Sequence, residues 1–386
     1  MRILWIPHAS WQTPQRARVF CRALASRHEV HVTDWVADFR SPRDYVSRRY
    51  LRNFAYRRHD DAGITVHGIP RFSPALFSRA LRRLNARLFS VYLRRIIRRA
   101  SIDVVVGSFV VPPPDAPRLI FDVADDNPGY WRVYGRVPDY ADEIAATEHA
   151  YLRKADAVVA VSTVLAERLR SDGYRGPLSL IPNGVDLSEY RPELGARTRQ
   201  ELGLSGPIVG LIGNHDKKTE MESVLAVADQ LSGTTATLLV VGKGAALAWA
   251  QAAARSRNLL NIRFIGFVRP ERVGAYFAAV DIGLCPYAKN PAADASSPMR
   301  LIAHSAAGSQ VICTDLEEVR RMGFENVTIV DNTPTAIAAA VRNVLGCPRR
   351  VPSRIEDYDL SRLAAQYTSI LTGEKPTARQ AHRVEA

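Results

Sequence analysis

The chain has 386 residues, 47% hydrophobic and 24% charged. That composition excludes a disordered or fibrous chain and gives enough length for two domains. The net charge is +13, but only six of the 52 cationic residues are lysine; with no recognition motif beside the charge, nucleic-acid binding is not expected. Cys21, Cys285, Cys313 and Cys347 are scattered without CxxC spacing, which reads as reduced thiols in a cytoplasmic protein and not as a zinc site. The opening MRILWIPHAS breaks at Pro7-His8, too early for a signal peptide. No later apolar run approaches the roughly 20 residues of a membrane span.

Strands and helices alternate along the first half. Arg2 to Pro7 reads as a strand, Pro14 to Arg27 as a helix, and Glu29 to Asp34 as a second strand. Ile64 to Val66, Val104 to Val106, Leu119 to Asp122 and Ala157 to Ser162 are further short strands. Helices are expected at Val137 to Lys154 and from Thr163 to Ser171, the latter at a Ser/Thr cap. Between them, Ser78 to Ala100 places Leu81, Leu84, Leu88, Val91 and Tyr92 at helical spacing, with Arg82, Arg83, Arg87, Arg94, Arg95, Arg98 and Arg99 in the remainder. Together with the stretch from Arg40 to Arg58 it concentrates the basic charge. It is either a packed helix with a solvated face or, at residues 79–99, a peripheral contact with anionic membrane.

A Pro/Gly-rich stretch, LSLIPNGVDLSEYRPELGAR, marks a linker near residues 172 to 200. A second alternating series follows, with strands at Ile208 to Ile212, Ala236 to Val241, Arg263 to Ile265 and Ile282 to Pro286. Helices lie between them at Met221 to Leu231, Ala245 to Ser256 and Pro270 to Ala279. Ser296-Ser297-Pro298-Met299-Arg300-Leu301 then reads as a capped helix start. The serines offer a cap hydroxyl, Pro298 suits the first turn, and Gly308 closes the helix before the strand Gln310 to Thr314. Free N–H groups, the positive end of the dipole and Arg300 make that start a seat for a diphosphate. The expected fold is α/β, two doubly wound domains facing across a cleft, with ligands at the carboxyl ends of the strands. The expected ranges are 1–175, 176–352, a returning helix at 353–372, and a disordered tail at 373–386.

The pieces KADAVVAVSTVLAERLR, LIPNGVDLSEYRP, LLVVGKG, NIRFIGFVRPERVGAYFAAVDIGLCPY and SPMRLIAHSAAGSQVI, in this order, resemble the retaining glycosyltransferases of family 4, whose two Rossmann-like domains form the GT-B fold. WQTPQRARVFCRALASRHEVHV and FDVADDNPGYW resemble the first loop and helix and the acidic loop of one of its subgroups. The resemblance implies transfer of a sugar from a nucleotide-diphosphate donor, held by the second domain, to an acceptor held by the first. That acceptor is a glycan, a lipid-linked glycan or a small natural product. No cofactor and no metal are implied, and no Asp-x-Asp beside a strand argues otherwise. The implied location is cytoplasmic, with peripheral contact at the inner membrane face.

Transfer requires cations and N–H donors for the departing diphosphate. By resemblance these are Ser296, Ser297, Pro298, Met299, Arg300 and Leu301, with Lys217 and Lys218, Gly213 for close approach, Gly242, and His304. Two departures stand out. Asn214 occupies the place of a family arginine, and Ala295 and Ala303 occupy those of its Glu-x7-Glu pair. Neither alanine accepts a hydrogen bond; Asp294, Asp315 or His304 are the substitutes within reach, and an alternative function is that of a catalytically degenerate partner or regulatory subunit. In the first domain Asp122 stands where the family often has a histidine. Asp122 and His8 are the catalytic candidates; Arg16, Asp125, Asp126, Tyr130 and Trp131 are those for the acceptor side. The three aspartates read as acceptor-site groups or loop caps and not as metal ligands.

Overall fold

The computed structural model describes residues 1–11, 15–35, 54–72, 78–135, 137–215 and 219–374. Lys217, Lys218, most of the Arg40 to Arg58 stretch and the tail from residue 375 onward lie outside the described residues. The chain divides into two compact units, Met1–Ile181 with Ala364–Ala386, and Pro182–Leu363.

The first unit begins with β1 (Arg2–Trp5), α1 (Arg16–Leu24), β2 (Glu29–Asp34), β3 (Arg57–Asp61) and β4 (Ile64–Gly68). It continues with α2 (Arg79–Arg99), β5 (Val104–Gly107), β6 (Leu119–Val123), α3 (Asn127–Tyr134), α4 (Pro138–Lys154), β7 (Ala157–Ala160), α5 (Thr163–Ser171) and β8 (Leu178–Leu180). The strands form one sheet in the order β3-β4-β2-β1-β5-β6-β7-β8, parallel except for β3 against β4. Ile3 lies between Val30 and Val104, so the chain reverses direction across the sheet between β1 and β5. Val104, Val105, Val106, Val158 and Val159 are all buried, as expected of strands covered on both faces.

Two helices differ from their sequence reading. α2 buries Asn85, Phe89, Leu93, Ile96 and Ile97, while Leu84 and Val91 are 41% and 54% exposed. The apolar stripe is therefore rotated from the one expected, because the carboxyl-terminal Ile96-Ile97 pair and Phe89 define the packed face. Asp126 caps α3 through Gly129 N–H at 3.1 Å, which turns the stretch read as an acidic loop into a helix.

The second unit contains α6 (Pro192–Leu202), β9 (Ile208–Asn214), α7 (Met221–Gln230), β10 (Thr237–Lys243), α8 (Leu247–Ser256), β11 (Ile262–Gly266), α9 (Pro270–Ala279) and β12 (Ile282–Cys285). After them come α10 (Pro291–Asp294), α11 (Met299–Ala306), β13 (Gln310–Thr314), α12 (Glu317–Met322), β14 (Val327–Val330) and α13 (Pro334–Val344). Its sheet is parallel, in the order β11-β10-β9-β12-β13-β14. Alternate residues enter opposite cores: Ile208, Leu239 and Val241 pack with α9, α11 and α12, and Val209, Leu211, Leu238 and Val240 with α7, α8 and α13. α6 occupies what reads from sequence as linker, with Pro192 in its first turn and Gly203 left-handed after its end. The last helix, α14 (Leu360–Thr372), starts in the second unit and ends in the first. There Tyr367 is wholly buried against Trp5 and Phe20, at centroid distances of 5.1 and 5.3 Å.

Candidate functional site

In the second unit the direction of winding changes between β9 and β12, and ligands of open α/β sheets bind outside the strand ends at such a point. β9 ends in Gly213-Asn214, and Gly213 and Gly242 both have φ near +130°. A Cβ on Gly242 would lie 1.8 Å from the Gly213 carbonyl, and one on Gly213 3.3 Å from the Arg300 guanidinium. Both glycines thus let three chain segments converge, which is a closer packing role than the donor approach expected of them. His215 is fully buried beside them, its ring nitrogen Nε2 3.0 Å from the Val241 carbonyl.

α11 starts at this point. Its N-cap is Pro298, and among the described residues no side chain caps the first turn. The two serines expected to do so are turned elsewhere. Ser296 donates to the Ala293 carbonyl at 2.7 Å, and Ser297 Oγ accepts from Asn183 N–H at 3.2 Å. Asn183 also donates to the Ser297 carbonyl at 2.8 Å, so the Asn-Gly turn, legible from sequence only as a turn, pins the approach to the helix. The amides of Met299, Arg300 and Leu301 have no hydrogen-bond partner among the described residues. Met299 is exposed and Leu301 is buried in the core.

Arg300 does not stand free in that first turn. It is 8% exposed; its Nε donates to the Ile212 carbonyl at 2.7 Å and its Nη2 to the Asn214 carbonyl at 3.0 Å. The guanidinium lies 5.5 Å from the centre of the Tyr287 ring. Its Nη1 has no hydrogen-bond partner among the described residues, nor is any carboxylate within ion-pair reach of it there. The residue expected to meet the diphosphate therefore first fixes the backbone at Asn214, and brings a buried positive charge with no carboxylate partner among the described residues beside the helix start.

The substitutes for the missing carboxylates are occupied. Asp294 accepts from Lys289 and from Glu317 N–H, at 2.8 and 2.9 Å, and Asp315 pairs with Arg320. His304 is fully buried, its ring 4.7 Å from that of Phe277, and a Cβ on Gly283 would collide with it. Burial, then the charges of Arg300 and Arg349, push its pKa down to about 3. His304 is thus a neutral residue packed in the core beside the expected donor site. Ala295 and Ala303 are buried as well.

In the first unit Arg16 and Asp122 bind each other. Nε of Arg16 lies 3.2 and 3.1 Å from the two carboxylate oxygens, and neither side chain is more than 5% exposed. The guanidinium also lies 4.6 Å from the centre of the Phe20 ring. The two catalytic and acceptor-side candidates thus form one buried ion pair. No sequence pattern signals it, because its members are 106 residues apart. His8 is half-buried just past β1. Asp126 serves as the α3 cap and Asp125 sits beside it, its carbonyl accepting from Asn127. Tyr130 packs on Tyr134 at 5.1 Å and Trp131 on Tyr140 at 4.7 Å, so these aromatics pack on one another.

Residues 15–189 match the family described as Glycosyltransferase Family 4, and residues 206–346 match Glycosyl transferases group 1. The glycosyltransferase TuaH of Bacillus subtilis (strain 168), named for teichuronic acid biosynthesis, is 27% identical over 241 residues, 59% of this chain and 60% of its own. The chain thus spans less than two thirds of that relative's length. Sucrose-phosphate synthase from Thermosynechococcus elongatus has the same fold, with a TM-score of 0.76 and 16% identity over 97% of this chain and 98% of its own. So has WaaG, described as a glycosyltransferase involved in lipopolysaccharide biosynthesis, at 0.69 and 17% over 96% and 100%. Anabaena HepE, solved with UDP and glucose, gives 0.66 and 15% over 97% and 100%. The fold is GT-B.

Proposed function

We propose that the chain is a GT-B glycosyltransferase of family 4 whose donor is a nucleoside diphosphate sugar held at the start of α11. The observation that supports the reading is the conjunction there of a helix terminus without a side-chain cap and a buried arginine that, among the described residues, has no carboxylate partner. Backbone N–H groups receive the diphosphate oxygens, and the Arg300 charge favours the negative leaving group as the sugar bond breaks. That supply of positive charge supports transfer without a metal or other cofactor. Family membership does not favour the inactive-partner alternative; the buried Ala295 and Ala303 leave hydroxyl recognition to other groups. HepE is named with UDP and with UDP-glucose, so uridine is the first nucleotide to try.

The acceptor in this reading is a glycan, a lipid-linked glycan or a small natural product, and transfer proceeds with retention at the anomeric carbon. A thermal-shift panel of UDP, GDP, ADP, dTDP and CMP tests the donor. One nucleotide raises the melting temperature by several degrees; no shift with any of them overturns the assignment. The proton spectrum of the product reads the stereochemistry, and inversion would refute retention.

We place the enzyme in the cytoplasm at the inner membrane face, through α2. Among the described residues no helix is long and apolar enough to cross a membrane. The exposed Leu84 and Val91 lie among Arg83, Arg87, Arg94 and Arg98, a face suited to anionic lipid. Vesicles containing anionic lipid pull the protein down at low salt and release it at high salt; absence of co-sedimentation at low salt rejects this placement.

A further inference from the structure

The chain passes between its two units twice, after Ile181 and after Leu363. The first passage is short. Ile181 N–H donates to the Ala160 carbonyl of the first unit at 3.0 Å, and Asn183, two residues on, already holds the start of α11 in the second. Pro182 between them has no N–H to donate. Two residues reach at most about 7 Å, so a displacement of the α11 start is felt at the passage.

Asn183 grips Ser297 at two points, its backbone N–H donating to Oγ at 3.2 Å and its Nδ2 to the carbonyl at 2.8 Å. Two bonds from one residue fix both the place and the orientation of the peptide that leads into Pro298 and α11. The residues after Asn183 tie down the second passage. Val185 N–H donates to the Tyr358 carbonyl at 3.0 Å, and Leu360 N–H to the Val185 carbonyl at 2.9 Å. A Cβ on Gly184 would come within 2.5 Å of Leu363 Cδ1 and 2.9 Å of the Tyr358 carbonyl, so only glycine lets the two segments lie this close. The apolar side agrees: Val185, Ile355 and Tyr358 share one core with Leu301, Ile302 and Ala303 of α11. All of these groups belong to the second unit. Asn183, Gly184 and Val185 thus connect the α11 start with both passages of the chain.

We propose that Asn183 is a positioning residue for the donor, and that occupancy of the α11 start orders the two passages of the chain through it. The inference rests on the reading that the donor diphosphate sits at that start. Each link is local. An anion on the Met299 to Leu301 amides restrains Ser297, Ser297 restrains Asn183, and the Val185 bonds carry the restraint to Tyr358 and Leu360.

The test is hydrogen exchange at the Val185 and Leu360 amides of the full-length protein, with and without UDP, beside calorimetric titration of UDP. With UDP at about ten times its Kd, exchange through openings that break the donor site slows about tenfold. α13, whose Ile337 and Ala338 pack in the opposite core, keeps its rate. Asn183→Ala raises the Kd for UDP about tenfold, the scale of one hydrogen bond. In UDP at about ten times its own Kd, that variant no longer shows the slowing at either amide. A role in stability alone would change the rates without UDP and leave the ratio with UDP as it is in the wild type. Ser297→Ala removes only the acceptor of the Asn183 N–H; it reduces the slowing, and it decides if Asn183→Ala fails to fold. UDP that binds the wild type without slowing these amides overturns the proposal, as does equal slowing in wild type and variant. Either result leaves the donor reading standing, whereas no binding of UDP to the wild type removes that reading and this inference with it.

Discussion

Arg16 and Arg300 are both more than nine-tenths buried, one in each unit, beside the carboxyl ends of parallel strands. Arg16 is held by the carboxylate of Asp122 and sits on the Phe20 ring, so its charge is cancelled on the spot. Arg300 is held by two backbone carbonyls, which bind its Nε and Nη2 without cancelling its charge. The nearby helix starts differ in the same sense, since Asp126 caps α3 and, among the described residues, no side chain caps α11. Buried arginine alone therefore says little about function. What distinguishes a binding site is positive potential that the protein has left uncompensated, and by that measure the second unit is open to an anion where the Arg16–Asp122 locus is closed.

The largest effect that tests this contrast is loss of the Arg16 partner. Asp122→Ala takes the carboxylate from a buried cation and costs about 3–5 kcal/mol in urea unfolding. Replacing both members with apolar residues of similar size restores most of it; a single variant as stable as the wild type would break the comparison.

Acid tests the second unit. His304 has an ordinary pKa of 6.5 but stays neutral in the fold to about 3, under burial and the Arg300 and Arg349 charges. The unfolded chain takes up that proton first, so the stability is whole above pH 6.5 and is lost as pH falls from 6.5 toward 3. By pH 5 about 2 kcal/mol is gone on this account. His304→Leu removes this share of the slope in urea titrations at pH 7.5 and 5, while His67, pushed down to about 4 chiefly by its own burial and then by the His31 charge, keeps its share in the first unit. An unchanged slope in His304→Leu contradicts the buried neutral assignment. The smallest effect is that of the α3 cap: Asp126→Ala costs about 1 kcal/mol and Asp126→Asn much less. Equal losses in the two variants would show that the Asp126 charge matters and not its cap.

Strands buried on both faces were legible because their apolar runs allow no other reading; Glu29–Asp34 and Gln310–Thr314 match their sequence bounds. β3 was not, since RRHDD has no apolar alternation and pairs with β4 through its backbone. α6 reads as linker because Pro182, Gly184, Pro192 and Gly195 make the stretch Pro/Gly-rich, whereas in the fold Pro192 opens the helix and Gly195 lies inside it. At the site, the sequence shows which residues are cationic and where α11 begins. It does not show which charges are cancelled. The partner of Arg16 lies in β6, and the carbonyls that hold Arg300 lie at the end of β9. Both pairings exist only once the sheets are wound, and they exchange the apparent roles of the two arginines, one closed and one open.

The most direct test is calorimetric titration of UDP into the wild type and Arg300→Ala. The account predicts binding by the wild type and a loss of roughly 1.5–3 kcal/mol in the variant, about ten- to a hundredfold in Kd, from the removed charge and the loosened Gly213-Asn214 backbone. Equal affinity in the two proteins would contradict it and move the diphosphate away from the start of α11.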